Sequence, residues 1–261
     1  MIKKSSSSRL LSPLIAFLAY ALVCKAFSRE TPNIPPLNSY VLAAVKSMPS
    51  GKGYEASQKA VDRLAASVSV KEGRFHENLD QAGASFCSGA TYIVFLRTLD
   101  LLQDRGQLTL SNKTLERYAQ MGVKDGEEIF GRWNANGPGT AKLFEELKCG
   151  MNFASYEKAR PGDFMKIWWT DEIGGKERGH LVVFLEDKGD SVRYWSANMP
   201  KGYSEDTVRK SKIKRVLFSR LTRHNRLNDA TRLSTKNKLL ADMLTKPFTW
   251  KQVVKECRVE E

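Results

Sequence analysis

Cys87 is the residue whose position most favours nucleophilic chemistry. It lies in the sequence SFCSG, at the start of an apolar stretch that extends to Gln103. The spacing predicts a helix that begins at Cys87, where free N–H groups and the positive end of the helix dipole stabilise a thiolate. The backbone N–H groups of Cys87 and Ser88 would then also form an oxyanion hole. The alternative is a buried structural cysteine, because free cysteine is among the most buried residue types.

His180 is the best candidate for a base that activates this cysteine. It opens the hydrophobic sequence HLVVF, where a polar ring needs partners. A histidine at the start of a strand can accept the proton of a thiol, although a histidine there can equally be structural. The other two histidines are less suitable, because His76 lies in a charged stretch and His224 in a basic C-terminal region.

A hydroxyl and an amide follow on the next predicted strand, in the sequence WSAN. Side chains alternate between the faces of a strand, so the length of the hairpin loop decides which residue lies opposite His180. A loop of three or five residues centred on Gly189 places Asn198 there, whereas an even loop places Ala197 there and turns Asn198 away. The catalytic interpretation therefore requires the odd loop, with Asn198 orienting the imidazole and Ser196 as the alternative, one diagonal step away.

The elements that would position these residues are helices first and strands second. Apolar residues recur at helical spacing in four segments, residues 55–69, 87–103, 115–121 and 140–148. From residue 160 onward the pattern has a period of two, which predicts strands at residues 164–169, 180–186, 192–197 and 213–221. This order predicts an α+β domain of residues 54–221.

Three short motifs, in this order, resemble those of NlpC-type and CHAP cell-wall hydrolases. They are CSG opening a buried helix at Cys87, RPGDF leading into the first strand, and GH opening the second strand at His180. The resemblance covers about residues 84–200. It implies a papain-like fold, with the nucleophile helix packed on a small antiparallel sheet, and a cysteine peptidase or amidase that cuts the peptide part of peptidoglycan through a thioester acyl-enzyme. By the same match Cys87 is the nucleophile, His180 the base, and Asn198 or Ser196 the third member, whereas Asp163 is a turn residue.

The chain departs from these enzymes ahead of the cysteine and behind it. The Tyr-x-x-Gly-Gly segment that usually precedes the cysteine is missing, and residues 132–139 are inserted before the RPGDF motif. Within and beyond the insertion, Trp133, Asn134 and Trp169 are candidates for a substrate groove, although core packing is the commoner fate of tryptophan.

Two other classes of function remain open. A transglutaminase-like acyl transferase would need an aspartate on the strand after His180, where Asp187 and Asp190 look like turn residues. A non-catalytic envelope-binding protein on a degenerate hydrolase fold would not need an activated thiol.

Residues 1–26 have the three-part pattern of a secretory signal peptide. Three basic residues precede a short apolar stretch, and small residues suit a signal peptidase around Ala26. An uncleaved N-terminal anchor is the alternative. Export to the periplasm or the extracellular space would leave three of the four cysteines, so at least one thiol would stay free in an oxidising compartment. Residues 27–53 contain four prolines and are expected to form an extended lead-in with one short helix.

The composition is that of a globular protein with an excess of basic residues. The chain has 261 residues with 42 Lys and Arg against 29 Asp and Glu, a formal net charge of +13. Removing residues 1–26, which contain four basic and no acidic residues, would leave +9. Hydrophobic residues make up 41% and charged residues 27% of the chain, which excludes whole-chain disorder, collagen and a pure coiled coil. No apolar run after residue 30 approaches the roughly 18 residues of a membrane span, which excludes a polytopic membrane protein.

The basic residues concentrate near the C-terminus. Residues 209–238 contain eleven Lys and Arg and one acid, and we expect residues 222–261 to be a basic appendage. In an exported protein this stripe favours an anionic envelope polymer or lipid head groups over nucleic acid as partner, and the alternative is a solvated tail. The sequence contains no metal-ligand cluster, phosphate loop or dinucleotide fingerprint, so we expect no metal and no cofactor.

Overall fold

Helices dominate the first half of the chain and strands the second, in the order that the sequence predicts. The computed structural model describes residues 35–260, so the expected signal peptide, residues 1–26, and the start of the lead-in lie outside the described residues. Helices and strands are mixed in one unit, compatible with the α+β class.

The helices expected from the apolar spacing are all present. The described helices are α1 (Pro36–Ser47), α2 (Gln58–Ala66), α3 (Leu79–Ala82), α4 (Cys87–Asp104), α5 (Asn112–Ala119), α6 (Glu128–Asn134), α7 (Gly139–Leu147), α8 (Lys238–Met243) and α9 (Trp250–Cys257). Two 3-10 segments cover Lys210–Lys212 and His224–Arg232. Within residues 35–260, no helix combines the length and the apolar character that crossing a membrane would require.

Eight strands form the main sheet. The strands of the described chain are β1 (Gly51–Lys52), β2 (Val68–Lys71), β3 (Arg74–Glu77), β4 (Gly150–Phe153), β5 (Phe164–Trp168), β6 (Ile173–Gly174), β7 (Gly179–Asp187), β8 (Ser191–Asn198), β9 (Gly202–Arg209), β10 (Arg215–Leu221), β11 (Pro247–Phe248) and β12 (Val259–Glu260). The main sheet has the order β1-β9-β8-β7-β5-β10-β4-β12, and β12 is parallel to β4 while the other neighbours are antiparallel. The strand β9 is not among the strands that the sequence predicts.

The helix α4 connects the helical half of the fold to the sheet. It packs against α1, β7 and β8, and its apolar residues nearly encircle the first three turns because neighbours cover it on several sides. Phe95 stacks on Trp133 with ring centroids 4.9 Å apart, and Phe164 of β5 meets the same indole edge-on at 4.9 Å. This aromatic packing fixes the start of α4, and therefore Cys87, against the sheet.

The hairpin between β7 and β8 differs from the expected one. Asp187 pairs with Val192, so four residues, 188–191, separate the last pair of the ladder. This number is even, and the expectation of an odd loop is wrong. A β-bulge at Leu185 adds one residue to β7, and beyond it Val183 pairs with Trp195. Because a bulge shifts the register by one residue, the strands continue with the register that an odd loop would have produced.

The short helix expected in the lead-in is present as α1, but residues 35–53 belong to the folded unit and are not an extended segment. Pro36 begins α1, at a helical position where its missing N–H has no partner to lose, and Val41 and Ala44 are completely buried. The strand β1 then pairs with β9. The folded unit therefore begins well before residue 54. The boundary predicted between the lead-in of residues 27–53 and the domain is wrong.

Residues 222–260 are part of the fold and not an appendage. The completely buried Arg132 donates to Ser234 O at 2.9 Å, and Asn237 Nδ2 donates to Glu146 Oε1 at 2.9 Å. The strand β12 completes one edge of the main sheet. Side chains from this region are completely buried at Leu227, Ala230, Leu240, Met243, Val253 and Cys257. The boundary predicted at residue 221 is therefore wrong.

Most basic residues of the stripe at residues 209–238 are paired with carboxylates. The pairs are Lys210–Asp187, Lys214–Asp171, Arg215–Asp171, Arg220–Asp163, Arg226–Asp229, Arg232–Asp229, Lys236–Glu127 and Lys238–Asp242. Much of the positive charge is therefore compensated within the fold, and an anionic polymer as partner stays a prediction.

Asp163 is a buried ion-pair residue as well as a turn residue. Its side chain is 0% exposed and accepts from Arg220 Nε at 2.8 Å and Nη2 at 2.7 Å. It also accepts from Asn38 Nδ2 at 2.7 Å and from the backbone N–H of Arg160 at 2.8 Å. The motif RPGDF therefore joins α1, β5 and β10 through one carboxylate.

Candidate active site

Cys87 lies at the first position of α4, as expected, and is half-buried. The N-cap residue Phe86 has an extended backbone, and its side chain does not cap the helix. The backbone N–H of Ala90 bonds to Phe86 O at 2.9 Å, whereas the N–H groups of Cys87, Ser88 and Gly89 precede the first helical bond. The N–H groups of Cys87 and Ser88 could thus donate to the oxyanion that forms when the sulfur attacks a carbonyl carbon.

His180 and Asn198 are in direct contact at the ends of β7 and β8. His180 Nε2 lies 2.9 Å from Asn198 Oδ1. The amide orientation is determined by its Nδ2, which donates to Ser204 O at 2.8 Å, so that Oδ1 faces the ring. An amide oxygen only accepts, so Nε2 carries the proton and Nδ1 is left for Cys87.

The strands β7 and β8 separate before they reach this contact. Their ladder ends at Val183 and Trp195, and beyond that pair side chains bridge the two strands. Ser196 Oγ donates to Leu181 O at 2.8 Å, which commits the hydroxyl to the neighbouring backbone. Ser196 therefore bridges the two strands, and Asn198 is the residue of the WSAN sequence that contacts the imidazole of His180.

Cys87 and His180 shift each other's pKa in opposite directions. Burial raises the pKa of the Cys87 thiol, but a hydrogen bond with His180 and the charge of its ring outweigh burial and lower that pKa to about 7. Burial lowers the pKa of His180, but its interactions with Cys87 and Asn198 outweigh burial and raise that pKa. Because the thiol of Cys87 becomes a stronger acid and the imidazole of His180 a stronger base, the pair favours a thiolate and an imidazolium.

Tyr54 is a further group at the sulfur, and the sequence analysis missed it. Burial, the charge of Cys87 and a hydrogen bond to Cys87 raise the pKa of Tyr54 to about 12, so the phenol keeps its proton and donates. A parallel bridge to Ser85 holds it beside the start of α4. Its position in the sequence GKGYE carries no chemical signal, because only the tertiary contact makes it a neighbour of the cysteine.

A cavity of about 160 Å³ opens beside Cys87, between residues 133–141 and the sheet. We refer to it as the cysteine cavity. Asn134 lines it, as expected of a groove residue, and its Oδ1 accepts from Ser88 Oγ at 2.7 Å. Lys166 and Glu177 form an ion pair in the wall, with Nζ and Oε1 2.7 Å apart. Sequence analysis did not single out this pair, because a lysine and a glutamate eleven positions apart carry no pattern.

The two tryptophan candidates differ in their surroundings. Trp133 is 1% exposed, and its Nε1 donates to Thr91 Oγ1 at 3.2 Å, so the ring belongs to the core although its residue borders the cysteine cavity. Trp133 therefore borders the cavity from the core side, and a role in binding substrate stays a prediction. Trp169 is half-buried and stacks on His180 with centroids 6.5 Å apart. It lines a second, open groove of about 420 Å³ on the histidine side of the site.

The other cysteines of the described chain are unlike Cys87. Cys149 and Cys257 are completely buried and unpaired, and burial raises the pKa of both thiols, that of Cys257 to about 12. Across residues 35–260, no three His, Cys, Asp or Glu side chains gather as metal ligands would.

The structure thus brings together Cys87, His180 and Asn198 with the unforeseen Tyr54, and it leaves Ser196 to a structural role. These contacts can support nucleophilic attack by sulfur, proton transfer by imidazole and stabilisation of an oxyanion. In comparisons with known proteins, no family model, no curated protein and no solved structure matches the chain.

Proposed function

We propose that this protein is a cysteine hydrolase that cleaves a peptide or amide bond. One contact carries the proposal: the Cys87 thiol is hydrogen-bonded to His180, whose Nε2 lies 2.9 Å from Asn198 Oδ1. This contact is the main cause that lowers the pKa of the thiol, to about 7. A structural cysteine has no need of such neighbours. Cys149 is an internal comparison, because it is buried, unpaired and has a raised pKa.

The residues can carry out acyl transfer to sulfur in two half-reactions. In the first, the thiolate of Cys87 forms a C–S bond to the substrate carbonyl carbon, and the N–H groups of Cys87 and Ser88 stabilise the oxyanion. The imidazolium of His180 then gives its proton to the amide nitrogen, and the C–N bond breaks. The amine departs, and the acyl group remains on Cys87 as a thioester. In the second, His180 takes a proton from water, whose oxygen adds to the thioester. The C–S bond breaks, which releases the acid and restores the thiolate and imidazolium.

A papain-like fold of the NlpC or CHAP type, and the peptide part of peptidoglycan as substrate, are the finer form of the proposal. The helix α4 carries the nucleophile and packs on β7 and β8, which carry the histidine and the amide. This arrangement and the motifs CSG, RPGDF and GH support the assignment. Export directed by residues 1–26, to the periplasm or beyond the cell, would bring the enzyme to that substrate.

The transglutaminase-like alternative has less support. It needs a carboxylate on the imidazole, and the group there is the neutral amide of Asn198. Asp187, an acid of the same hairpin, pairs with Lys210 instead. Transfer to water therefore fits the site better than transfer to an amine acceptor.

The test is to incubate the purified chain with purified peptidoglycan and to identify the released fragments by mass. We expect fragments cut at one type of amide bond, and none with Cys87→Ala. Cys257→Ala is the matched control, because it removes a thiol from a separate part of the core and should keep the activity. Equal cleavage by the wild type and Cys87→Ala would overturn the mechanism.

A further inference from the structure

The carboxylate in the wall of the cysteine cavity is already engaged by donors of the protein. Glu177 Oε1 accepts from Lys166 Nζ at 2.7 Å. Its Oε2 accepts from Gly137 N at 2.8 Å, Gly174 N at 2.7 Å and Trp168 Nε1 at 2.9 Å. Four donors therefore already bind the Glu177 carboxylate, three of them at Oε2.

Lys166 retains donors. Its ammonium lies beside Gly179, where a Cβ would approach Nζ to 2.9 Å, so the missing side chain leaves room for the charge. Among the described residues, Glu177 is its one hydrogen-bond acceptor. An ammonium has three N–H groups, so two remain for a ligand in the cavity. The same charge makes a small contribution to the lowered pKa of Cys87, behind the larger one of His180.

The N-terminus of α7 borders the same cavity. Gly139, Thr140 and Ala141 line it, and the N-cap residue Pro138 provides no side-chain cap. The first helical bond runs from Lys142 N to Pro138 O at 2.9 Å, so three N–H groups precede it at the positive end of the helix dipole.

Thr140 is an independent polar feature of the same wall. It is 4% exposed, and its buried hydroxyl has no hydrogen-bond partner among residues 35–260. A buried hydroxyl without a partner is unfavourable, so this one favours a polar ligand group, and a carboxylate oxygen could accept its proton.

We propose that the cysteine cavity is a subsite for a carboxylate of the substrate, held by Lys166, by Thr140 and by the N-terminus of α7. Free donors, one cation and a helix N-terminus are the features that recognise anions. The cavity measures about 160 Å³. A cavity of about 150 Å³ holds benzene, so this one has room for an acidic side chain or a chain terminus. The inference rests on the proposed function and names its substrate class, amides with a carboxylate close to the scissile bond.

Two alkylating reagents can test the subsite without a hydrolytic substrate. Iodoacetate and iodoacetamide both form a C–S bond with a thiolate and release iodide, and only iodoacetate carries a carboxylate. The second-order rate constants of both reagents at Cys87 are measured at pH 6.5 in the full chain. The rate constant for iodoacetate is divided by that for iodoacetamide, and this ratio is then divided by the same ratio for a small thiol.

We expect the ratio at Cys87 to favour iodoacetate. Lys166→Met should lower it by about tenfold, the equivalent of about 1.4 kcal/mol. Thr140→Val, which keeps the shape and removes the donor, should lower it by about threefold, and Thr140→Ser should keep it. The Thr140 variants carry the test alone if Lys166→Met does not fold.

Lys214→Met is the matched control for the loss of one positive charge. Lys214 pairs with the exposed Asp171 and does not line the cysteine cavity, so the ratio should not change. The imidazolium of His180 attracts iodoacetate in every variant and therefore cancels in the comparison. Equal ratios in the wild type, Lys166→Met and Thr140→Val would overturn the subsite. A Cys87 that reacts no faster than the small thiol with either reagent would count against the proposed function instead.

Discussion

Alkylation of the native chain at pH 6.5 should modify Cys87 before the other cysteines. A pKa of about 7 makes about a quarter of Cys87 thiolate at this pH. A free cysteine, with a pKa of about 8.5, is about 1% thiolate. The advantage of about 24-fold is reduced about fivefold, because nucleophilicity falls with the pKa along a Brønsted slope of about 0.4–0.5. Cys87 should therefore react about five times faster than a small free thiol.

The assay is a time course with iodoacetamide, quenched and mapped by mass spectrometry. Cys149 and Cys257 should stay unmodified until the chain is unfolded, because both are completely buried and their pKa values are raised. A series from pH 5 to pH 9 should give a midpoint near pH 7 for Cys87. His180→Ala should move the midpoint upward, because the thiolate loses its hydrogen bond and the neighbouring charge.

Two results would refute this reasoning. One is a Cys87 that reacts no faster than the small thiol at pH 6.5, with a midpoint near that of a free cysteine. The other is an unchanged midpoint in His180→Ala, since the histidine is the main group that lowers the pKa. The wild type with Cys87 already blocked serves as the control for non-specific labelling.

The other predictions concern the ring, the pH profile, a buried ion pair and export. Asn198→Ala should lower kcat/KM by about tenfold, since it removes one orienting hydrogen bond, and His180→Ala by at least about a hundredfold; equal losses would contradict the orienting role. The profile of kcat/KM should rise near pH 7 as the thiolate forms and fall at higher pH as the imidazolium, whose pKa is raised, loses its proton; a profile without the alkaline fall would remove His180 as the acid. Arg220→Met should lower the free energy of unfolding in urea by about 3 kcal/mol, because Asp163 would keep a buried charge without its partner; a loss below about 1 kcal/mol would contradict this. N-terminal sequencing of exported protein should start near residue 27, and recovery of the chain with its first residue from the cytoplasm would argue against a signal peptide.

The sequence by itself determined the helix α4 and the place of Cys87 on it. Apolar residues at helical spacing from residue 90 onward predict a helix with neighbours on several sides, and the structure has it. The sequence also offered Asn198 as the partner of His180, with Ser196 as the alternative, because side chains alternate along a strand. That argument reached the right residue through the wrong loop, and the bulge at Leu185 made up the difference.

Tertiary structure alone decided what surrounds these residues. It placed the Tyr54 hydroxyl within hydrogen-bond distance of the Cys87 sulfur, and it placed Lys166 and Thr140 in the wall of one cavity. It also placed β12 at the edge of the main sheet. It also gave Arg132 a buried ion pair inside a segment that looked like an insertion in a loop. Periodicity reports which side chains are buried, because burial follows the local geometry of a helix or strand. Which distant segments meet depends on how the whole core packs, and no spacing along the chain records that.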